Sequence, residues 1–206
     1  MSWPKTVAWF AMLLMALAIG SYALSFFPIA DLGDPAFKAH FDTIPWSARM
    51  HIIPGGLALI LGAFQFHGGL RRRWTSIHRY CGRTYVLLVL VGAVGGLLLA
   101  WYAPRSPATR MGFGLLAVVW FYSASMAYLA VRAGNIVLHQ QWMIRSYALT
   151  LAAVTLRLQL GVYQQGMGLS FDESYDLVAW SSWIPNLIIA EWLFNQTPIR
   201  RSARAS

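Results

Sequence analysis

Charged residues are scarce in this chain, and acids are the scarcest of them. Only 11% of its 206 residues are charged, with 7 acids against 16 lysines and arginines, whereas 58% are hydrophobic. A soluble domain of ordinary composition carries about 25% charged residues. The composition therefore excludes an ordinary soluble domain and indicates a membrane protein. Its net charge of +9 favours contact with anionic lipid rather than binding of nucleic acid.

Cysteine and the familiar catalytic motifs are also lacking. The single cysteine, Cys81, excludes an intrachain disulfide. The sequence contains no H-E-x-x-H or C-x-x-C metal motif, no glycine-rich phosphate loop and no nucleophile motif. These absences leave a zinc-dependent membrane hydrolase as the least favoured function.

Long apolar runs dominate what is present, and six of them are close to the roughly 20 residues that a membrane helix needs. The predicted spans are 7–27, 47–66, 80–101, 111–131, 140–163 and 177–194. The first is longer than the apolar core of a signal peptide, so we expect an uncleaved helix. Because the connections are short, we predict an all-α, antiparallel six-helix bundle. A single transmembrane domain should cover 1–199, and a basic cytoplasmic tail should follow at 200–206.

The charges are sorted by loop. Six of the seven acids fall in two stretches between spans: Asp31, Asp34, Asp42, Asp172, Glu173 and Asp176. Many of the arginines collect in two other stretches: Arg71, Arg72, Arg73, Arg79, Arg83, Arg200, Arg201 and Arg204. Because cytoplasmic loops carry the excess of Lys and Arg, the acidic loops should lie outside and both termini inside.

Polar residues inside apolar spans are costly, so they mark candidate sites. An α-helix turns 100° per residue, which puts a polar stripe on one face of the fifth span: His139, Ser146, Thr150, Arg157 and Gln164. The second span has a face formed by His51, Gly55, Ala58, Gly62 and Gln65. The third has a face formed by His78, Tyr85, Gly92 and Gly96. The last two glycines favour helix packing, with a groove for a flat ring as the alternative.

The depths of these residues predict two clusters. An inner, cofactor-binding cluster contains His78, His139, Arg79, Arg145 and Tyr85, with His67 as a further candidate. A second polar cluster contains His51, Arg157, Gln65 and Glu191, of which the first two lie toward the outer side, where Gln159, Gln164 and His40 are further candidates. We expect Arg157 to face the second span near a neutral His51. We expect Glu191 to pair with Arg145 or Arg79.

Three blocks of sequence carry a family resemblance. They are Gly62-Ala63-Phe64-Gln65-Phe66, the H-R-x-x-G-R-x-Y block from His78 to Tyr85, and the H-x-x-W-M-I-R-S block from His139 to Ser146, followed by Arg157. Over roughly residues 47 to 165 the chain resembles a bacterial family of predicted membrane proteins catalogued as a domain of unknown function. The resemblance implies several helices and a bacterial cytoplasmic membrane location, with no established activity. The chain is also loosely similar to b-type membrane cytochromes.

The leading hypothesis is a membrane redox protein with one heme b near the cytoplasmic face. His78 and His139 would be its metal ligands, and arginines would pair with its propionates. A quinone at His51 and Arg157 would exchange electrons with it. One alternative is a transporter or sensor of a small molecule, an ion or protons, with the polar stripe as its pathway. Another is a non-catalytic accessory subunit whose polar groups join helices.

Overall fold

The computed structural model describes residues 3–29, 32, 41, 42 and 44–196. In this part of the chain the regular structure is helical and contains no strand. Five stretches are long and apolar enough to cross a membrane: Thr6–Ser25, Pro45–Gln65, Thr75–Tyr102, Pro107–Arg132 and Phe171–Phe194. The predicted all-α, multi-pass class is confirmed, whereas a sixth crossing and the side of each terminus stay predictions. Asp31, Asp34, His40 and the tail at 200–206 lie outside the described residues.

The chain divides into two compact units, Met1–Ala103 and Pro104–Ser206. This division does not test the predicted single domain. The first unit contains α1 (Trp3–Ser25), α2 (Pro45–Gln65), α3 (Gly68–Arg73) and α4 (Thr75–Tyr102). Helix α2 packs against both α1 and α4. Small residues let α1 approach α2 closely, because a Cβ added at Gly56 would lie 3.2 Å from the Gly20 carbonyl oxygen.

The second unit begins with α5 (Pro107–Arg132), which Ser106 caps by accepting a hydrogen bond from the Thr109 amide at 3.1 Å. It continues with α6 (Ile136–Thr150), α7 (Ala152–Gly161), a π-helical turn (Val162–Gly166), α8 (Phe171–Ser181) and α9 (Ile184–Gln196). Helix α5 packs against α6 and α8, and α9 packs against α6.

Two predicted spans are interrupted, which corrects the expectation of continuous helices. The predicted span 140–163 has a local break in its α-helical regularity at Leu151, between α6 and α7, although Leu151 keeps helical backbone angles and its amide still donates to the Tyr147 carbonyl at 2.9 Å. The predicted span 177–194 is divided into α8 and α9 by a turn at Ser182 and Trp183. Pro185 explains the second break, because proline has no N–H with which to continue the helical hydrogen bonding. The first break has no proline or glycine.

The distribution of side chains is that of a lipid-embedded protein. The fully buried positions include many alanines, such as Ala16, Ala58, Ala63, Ala124 and Ala127 at 0% exposure. Large apolar side chains are exposed instead, with Leu14 at 61%, Leu87 at 62% and Ile188 at 63%. Helices in lipid pack through small residues and present large apolar ones to the acyl chains. The exposure pattern therefore supports the membrane assignment independently of helix length.

Candidate functional site

His139 lies in the first turn of α6, and its ring is held by the neighbouring helix. Nδ1 lies 2.8 Å from the carbonyl oxygen of Ala127 in α5. A carbonyl oxygen only accepts hydrogen bonds, so Nδ1 carries the proton that it donates. In the neutral imidazole the lone pair is then on Nε2, which is the nitrogen able to ligate a metal.

His51 has the same arrangement in the first unit. Its Nδ1 lies 2.9 Å from the carbonyl oxygen of Gly92 in α4. A Cβ added at Gly96 would lie 2.7 Å from that Nδ1, so the His51 ring occupies the space beside this glycine. The expected packing role of the Gly92–Gly96 pair is confirmed. The alternative, a glycine groove open to a flat ring, is wrong at Gly96 because His51 fills it.

His78 lies in α4 beside a cavity of about 230 Å³. The lining comes from the end of α2, from α3 and from the start of α4: Leu61, Phe64, Gln65, Arg71, Trp74, Ile77, His78 and Cys81. The Oε1 atom of Gln65 is buried and has no hydrogen-bond partner. The structure thus brings Gln65 to His78, at the opposite end of α2 from His51.

The other residues of the inner cluster have differing surroundings. Arg79 is exposed on α4, and Tyr85 is fully buried two turns further on. His67, a further candidate, packs its ring against Trp9 with 4.7 Å between ring centroids. His78 belongs to the first unit and His139 to the second, so their predicted approach stays a prediction.

Arg145 and Glu191 form a bidentate ion pair between α6 and α9. Nε lies 2.5 Å from Oε1, and Nη2 lies 3.0 Å from Oε2. The guanidinium also stacks over the rings of Trp142 and Phe194, at 4.6 Å and 5.0 Å from their centroids. The expected pairing of Glu191 is confirmed with Arg145 as the partner, so Glu191 belongs with the inner residues.

The polar stripe predicted along the fifth span is divided by the break at Leu151. Ser146 and Thr150 are buried, and the Thr150 hydroxyl accepts a 2.9 Å hydrogen bond from Trp120 Nε1 of α5. Arg157 lies beyond the break, half-buried, and its Nη1 donates to the Ala153 carbonyl at 2.9 Å. The stripe assumed one uninterrupted helix, and the structure places the local irregularity at Leu151 between Thr150 and Arg157. The expectation that Arg157 faces His51 joins the two units and stays a prediction.

Sequence reasoning missed a set of polar contacts between the two interrupted helices. Asn186 Nδ2 donates to the Ala148 carbonyl at 3.2 Å and lies 3.0 Å from the Thr155 hydroxyl. The last carbonyls of a helix lack intrahelical partners, so Asn186 satisfies one at the end of α6. One turn away, Gln159 Nε2 donates to the Ser181 carbonyl at 3.2 Å.

That second contact has a clear origin in the sequence. Pro185 stands four residues after Ser181 and cannot donate to its carbonyl, which is therefore available to Gln159. Proline inside an apolar run was the signal that could have identified this contact. The Asn186 contact had no comparable signal.

Three of the predicted outer acids make hydrogen bonds or ion pairs at the ends of helices in the second unit. Asp172 pairs with Arg105, and Asp176 accepts hydrogen bonds from Ser106 and Thr109. Glu173 completes a capping box with Ser170 at the start of α8. The S-x-x-E spacing is a helix-start signal that was overlooked. These acids stabilise the ends of α5 and α8.

Fold and surface together define a multi-pass helical membrane protein. The sequence profile of a family described as "Predicted membrane protein (DUF2306)" matches residues 48–194, and the chain belongs to this family. The match begins in α2 and ends in α9, so it includes parts of both units. No curated protein and no solved structure shows significant similarity to the chain. The family resemblance drawn from the sequence blocks is confirmed.

Proposed function

We propose that this chain is an integral membrane redox protein that binds one b-type heme near the cytoplasmic face, with His78 and His139 as axial ligands. The heme would supply one-electron transfer. The observation that carries this function is the 2.8 Å hydrogen bond from His139 Nδ1 to the Ala127 carbonyl.

That hydrogen bond is the arrangement typical of a metal-ligating histidine. Such histidines almost always donate their second ring N–H to a carbonyl, a carboxylate or water, which fixes the tautomer and raises the basicity of the ligating nitrogen. His139 has this support from a rigid helix before any metal binds. Its Nε2 therefore needs no change of tautomer to become a ligand.

The side chains available as metal ligands suit two axial ligands of a heme better than a zinc site. A structural zinc ion takes four ligands and a catalytic one takes three from the protein. Among the residues that the structure describes, no group of three or more His, Cys, Asp or Glu side chains is suited to a metal. A heme needs only two axial ligands, because the porphyrin supplies the rest.

Cationic partners for propionates are available on the helix of His78. Arg79 and Arg83 are exposed there, one turn apart, and each can form charge-assisted hydrogen bonds with a carboxylate. Arg145 is a weaker candidate than the sequence suggested, because Glu191 already neutralises it. We therefore assign the propionate-binding role to Arg79 and Arg83.

A six-span topology in a bacterial cytoplasmic membrane, with both termini inside, is part of this function. Loop charges support the orientation. The helices α6 and α7 contain 15 and 10 residues. At a rise of 1.5 Å per residue, they extend about 37 Å in total. Together the two helices are thus long enough to cross a hydrocarbon core of about 30 Å and to form the sixth span despite the break.

Absorption spectroscopy of histidine variants tests the heme assignment. Purified wild type, expressed with ample heme supply, should show a Soret band that shifts on reduction with dithionite. His78→Ala and His139→Ala should each abolish the band. His67→Ala is the matched control, because its ring packs against Trp9, and it should keep the band. A colourless wild type, or a normal band in His139→Ala, would remove this function.

A quinone is the electron partner that we propose at His51 and Arg157. The Gly92 carbonyl fixes the His51 ring in the same tautomer as His139, which supports a hydrogen-bonding role for its Nε2. A quinol gives up two electrons and two protons; each heme would accept one electron, so one quinol would reduce two chains and release its two protons to water on the outer side. Added quinol should reduce the heme in wild type several-fold faster than in His51→Ala. Equal rates would remove the quinone from this function.

Transport is the second candidate, and the interrupted helices favour it. Secondary transporters bind substrates and ions at discontinuous helices near the middle of the bilayer. The contacts of Asn186 and Gln159 join two such interruptions in the second unit. Liposomes that enclose a pH-sensitive dye would reveal proton flux in wild type and its loss in Asn186→Leu. An accessory subunit, the third candidate, would show neither heme nor flux.

A further inference from the structure

We propose that the cavity lined by Gln65 and Arg71 binds the headgroup of an anionic phospholipid that carries headgroup hydroxyls, of which phosphatidylglycerol is the representative. This inference does not depend on heme binding. It rests on a buried acceptor, an arginine, a cavity volume and an exposed apolar rim, all within the first unit.

The buried acceptor selects a neutral donor. Gln65 Oε1 is inaccessible and has no hydrogen-bond partner, and a buried polar atom left in this state costs roughly 1–3 kcal/mol. Gln65 also lines the cavity, so a rotation of its side-chain amide would turn this atom toward a donor there and recover that cost. Burying an ammonium group against a single neutral oxygen is far more expensive than burying a hydroxyl. The headgroup is therefore expected to present a hydroxyl rather than an amine.

The charge around the cavity selects an anion. Arg71 lines the cavity, and Arg72 and Arg73 follow it in α3. The sequence has no acidic residue between Asp42 and Asp172, so nothing near these arginines along the chain neutralises them. Arginine binds phosphate through strong charge-assisted hydrogen bonds, and basic clusters at the cytoplasmic surface attract anionic lipid. A phosphodiester beside Arg71 would carry the negative charge and would accept these hydrogen bonds.

The size and the rim of the cavity indicate a headgroup that belongs to a larger molecule. Its volume of about 230 Å³ is below the roughly 300–1,000 Å³ of pockets that enclose whole drug-sized ligands. Three lining residues are apolar and exposed at the surface, with Phe64 at 39%, Trp74 at 49% and Ile77 at 56%. Acyl chains can continue along this surface while the headgroup enters the cavity. Tryptophan at such a position is typical of the membrane interface.

Native mass spectrometry of the full chain in detergent tests the site. The protein is offered an equal mixture of phosphatidylglycerol, phosphatidylmethanol and phosphatidylethanolamine. Phosphatidylmethanol has the same charge as phosphatidylglycerol but no headgroup hydroxyl. Wild type should retain phosphatidylglycerol over phosphatidylmethanol by about five- to tenfold. Both anionic lipids should exceed phosphatidylethanolamine.

Variants of Gln65 and Arg71 test separately the recognition of the headgroup hydroxyl and the recognition of the negative charge. Gln65→Leu should lose the preference for phosphatidylglycerol over phosphatidylmethanol and keep the preference for anionic lipid. Arg71→Gln should lose the preference for anionic lipid. Gln165→Leu and Arg132→Gln, both exposed and in the other unit, are the matched controls and should behave as wild type. If Gln65→Leu does not fold, Cys81→Leu is the second variant. It places a larger side chain in the cavity and should reduce the amount of phosphatidylglycerol that the protein retains.

Three results would overturn the site. The first is equal retention of the three lipids by wild type. The second is an unchanged lipid preference in folded Gln65→Leu, or unchanged retention of phosphatidylglycerol in Cys81→Leu. The third is displacement of phosphatidylglycerol by an equal concentration of glycerophosphoglycerol, its headgroup without acyl chains, which would indicate a site for a free phosphodiester rather than for a membrane lipid.

Discussion

Arg145 and Glu191 neutralise each other inside a chain that has few other acids. The pair is partly accessible, with the Arg145 side chain 21% exposed and that of Glu191 48% exposed. Two parallel hydrogen bonds and two aromatic rings hold the guanidinium in place. Loss of one partner leaves a charge in a low-dielectric environment, which costs more than the pair itself contributes.

Glu191→Leu should therefore destabilise the protein, because Arg145 would lose its counter-charge. We expect a loss of about 1–2 kcal/mol, below the value for a fully buried pair because both groups are partly accessible. At about 2–4 °C per kcal/mol, thermal unfolding in detergent should occur roughly 2–8 °C lower. The double variant Arg145→Met with Glu191→Leu should recover most of this loss. A double variant less stable than Glu191→Leu would contradict the explanation.

Hydropathy and depth selected the candidate site residues but not their hydrogen-bond partners. His51, His78, His139 and Arg145 were chosen because polar groups inside apolar spans are costly. The carbonyls of Gly92 and Ala127 carry no signal in the sequence, since every residue has a carbonyl. Which carbonyl a histidine contacts depends on which helix packs beside it and on the relative position of the two helices along their axes. The tautomers of His51 and His139 therefore follow only from the structure.

At the scale of elements, glycines set the distance between α2 and α4. A Cβ added at Gly95 would lie 2.7 Å from the His51 amide nitrogen and 2.8 Å from the Met50 carbonyl carbon. These are backbone atoms, so they cannot move aside without moving the helix. Gly55 on α2 has open space around its Cβ position.

Gly95→Ala and Gly55→Ala should have opposite effects on stability. Alanine favours a helix over glycine by about 1 kcal/mol. At Gly55 this gain should appear as a higher unfolding temperature. At Gly95 the clash should outweigh it and lower the unfolding free energy by roughly 1–3 kcal/mol. Thermal unfolding of both variants in the same detergent is the measurement, and a stabilised Gly95→Ala would disprove this packing.

Asn186 should stabilise the break between α6 and α7. Asn186→Leu keeps a similar volume but removes the donor to the Ala148 carbonyl and the partner of Thr155. Hydrogen bonds between membrane helices contribute about 1 kcal/mol, so the unfolding temperature should fall by about 2–4 °C. Gln165→Leu, on an exposed side chain, should leave it unchanged. Equal unfolding temperatures for Asn186→Leu and wild type would show that this contact does not stabilise the break.

The positions of helices were predictable, and their interruptions only partly so. Apolar runs predicted segments that overlap every long helix, because a 30 Å apolar layer demands about 20 apolar residues. Pro185 could have predicted the division of α8 from α9. The break at Leu151 has no proline or glycine beside it, and the residue that contacts both of its flanks, Asn186, is 35 residues away in the sequence. Periodicity along one segment cannot reveal such a contact.

For the whole molecule, charge sorting predicts an orientation that cysteine labelling can test. With Cys81 replaced by Ala, Met167→Cys lies in the connection between the π-helical turn and α8, which should be outside. Ala133→Cys lies between α5 and α6, which should be inside. A membrane-impermeant maleimide should label the first in intact cells and the second only after permeabilisation. The reverse pattern would invert the topology and move His78 and His139 to the outer face.

Heme content per chain tests the central claim most directly. Protein purified from cells with ample heme supply is assayed for b-type heme by its pyridine hemochromogen, and for polypeptide by amino-acid analysis. One heme per chain is the expected result, because only one pair of histidines is assigned as axial ligands. A value near zero would contradict the redox function and leave transport as the better candidate. A value near two would contradict the assignment of the ligands.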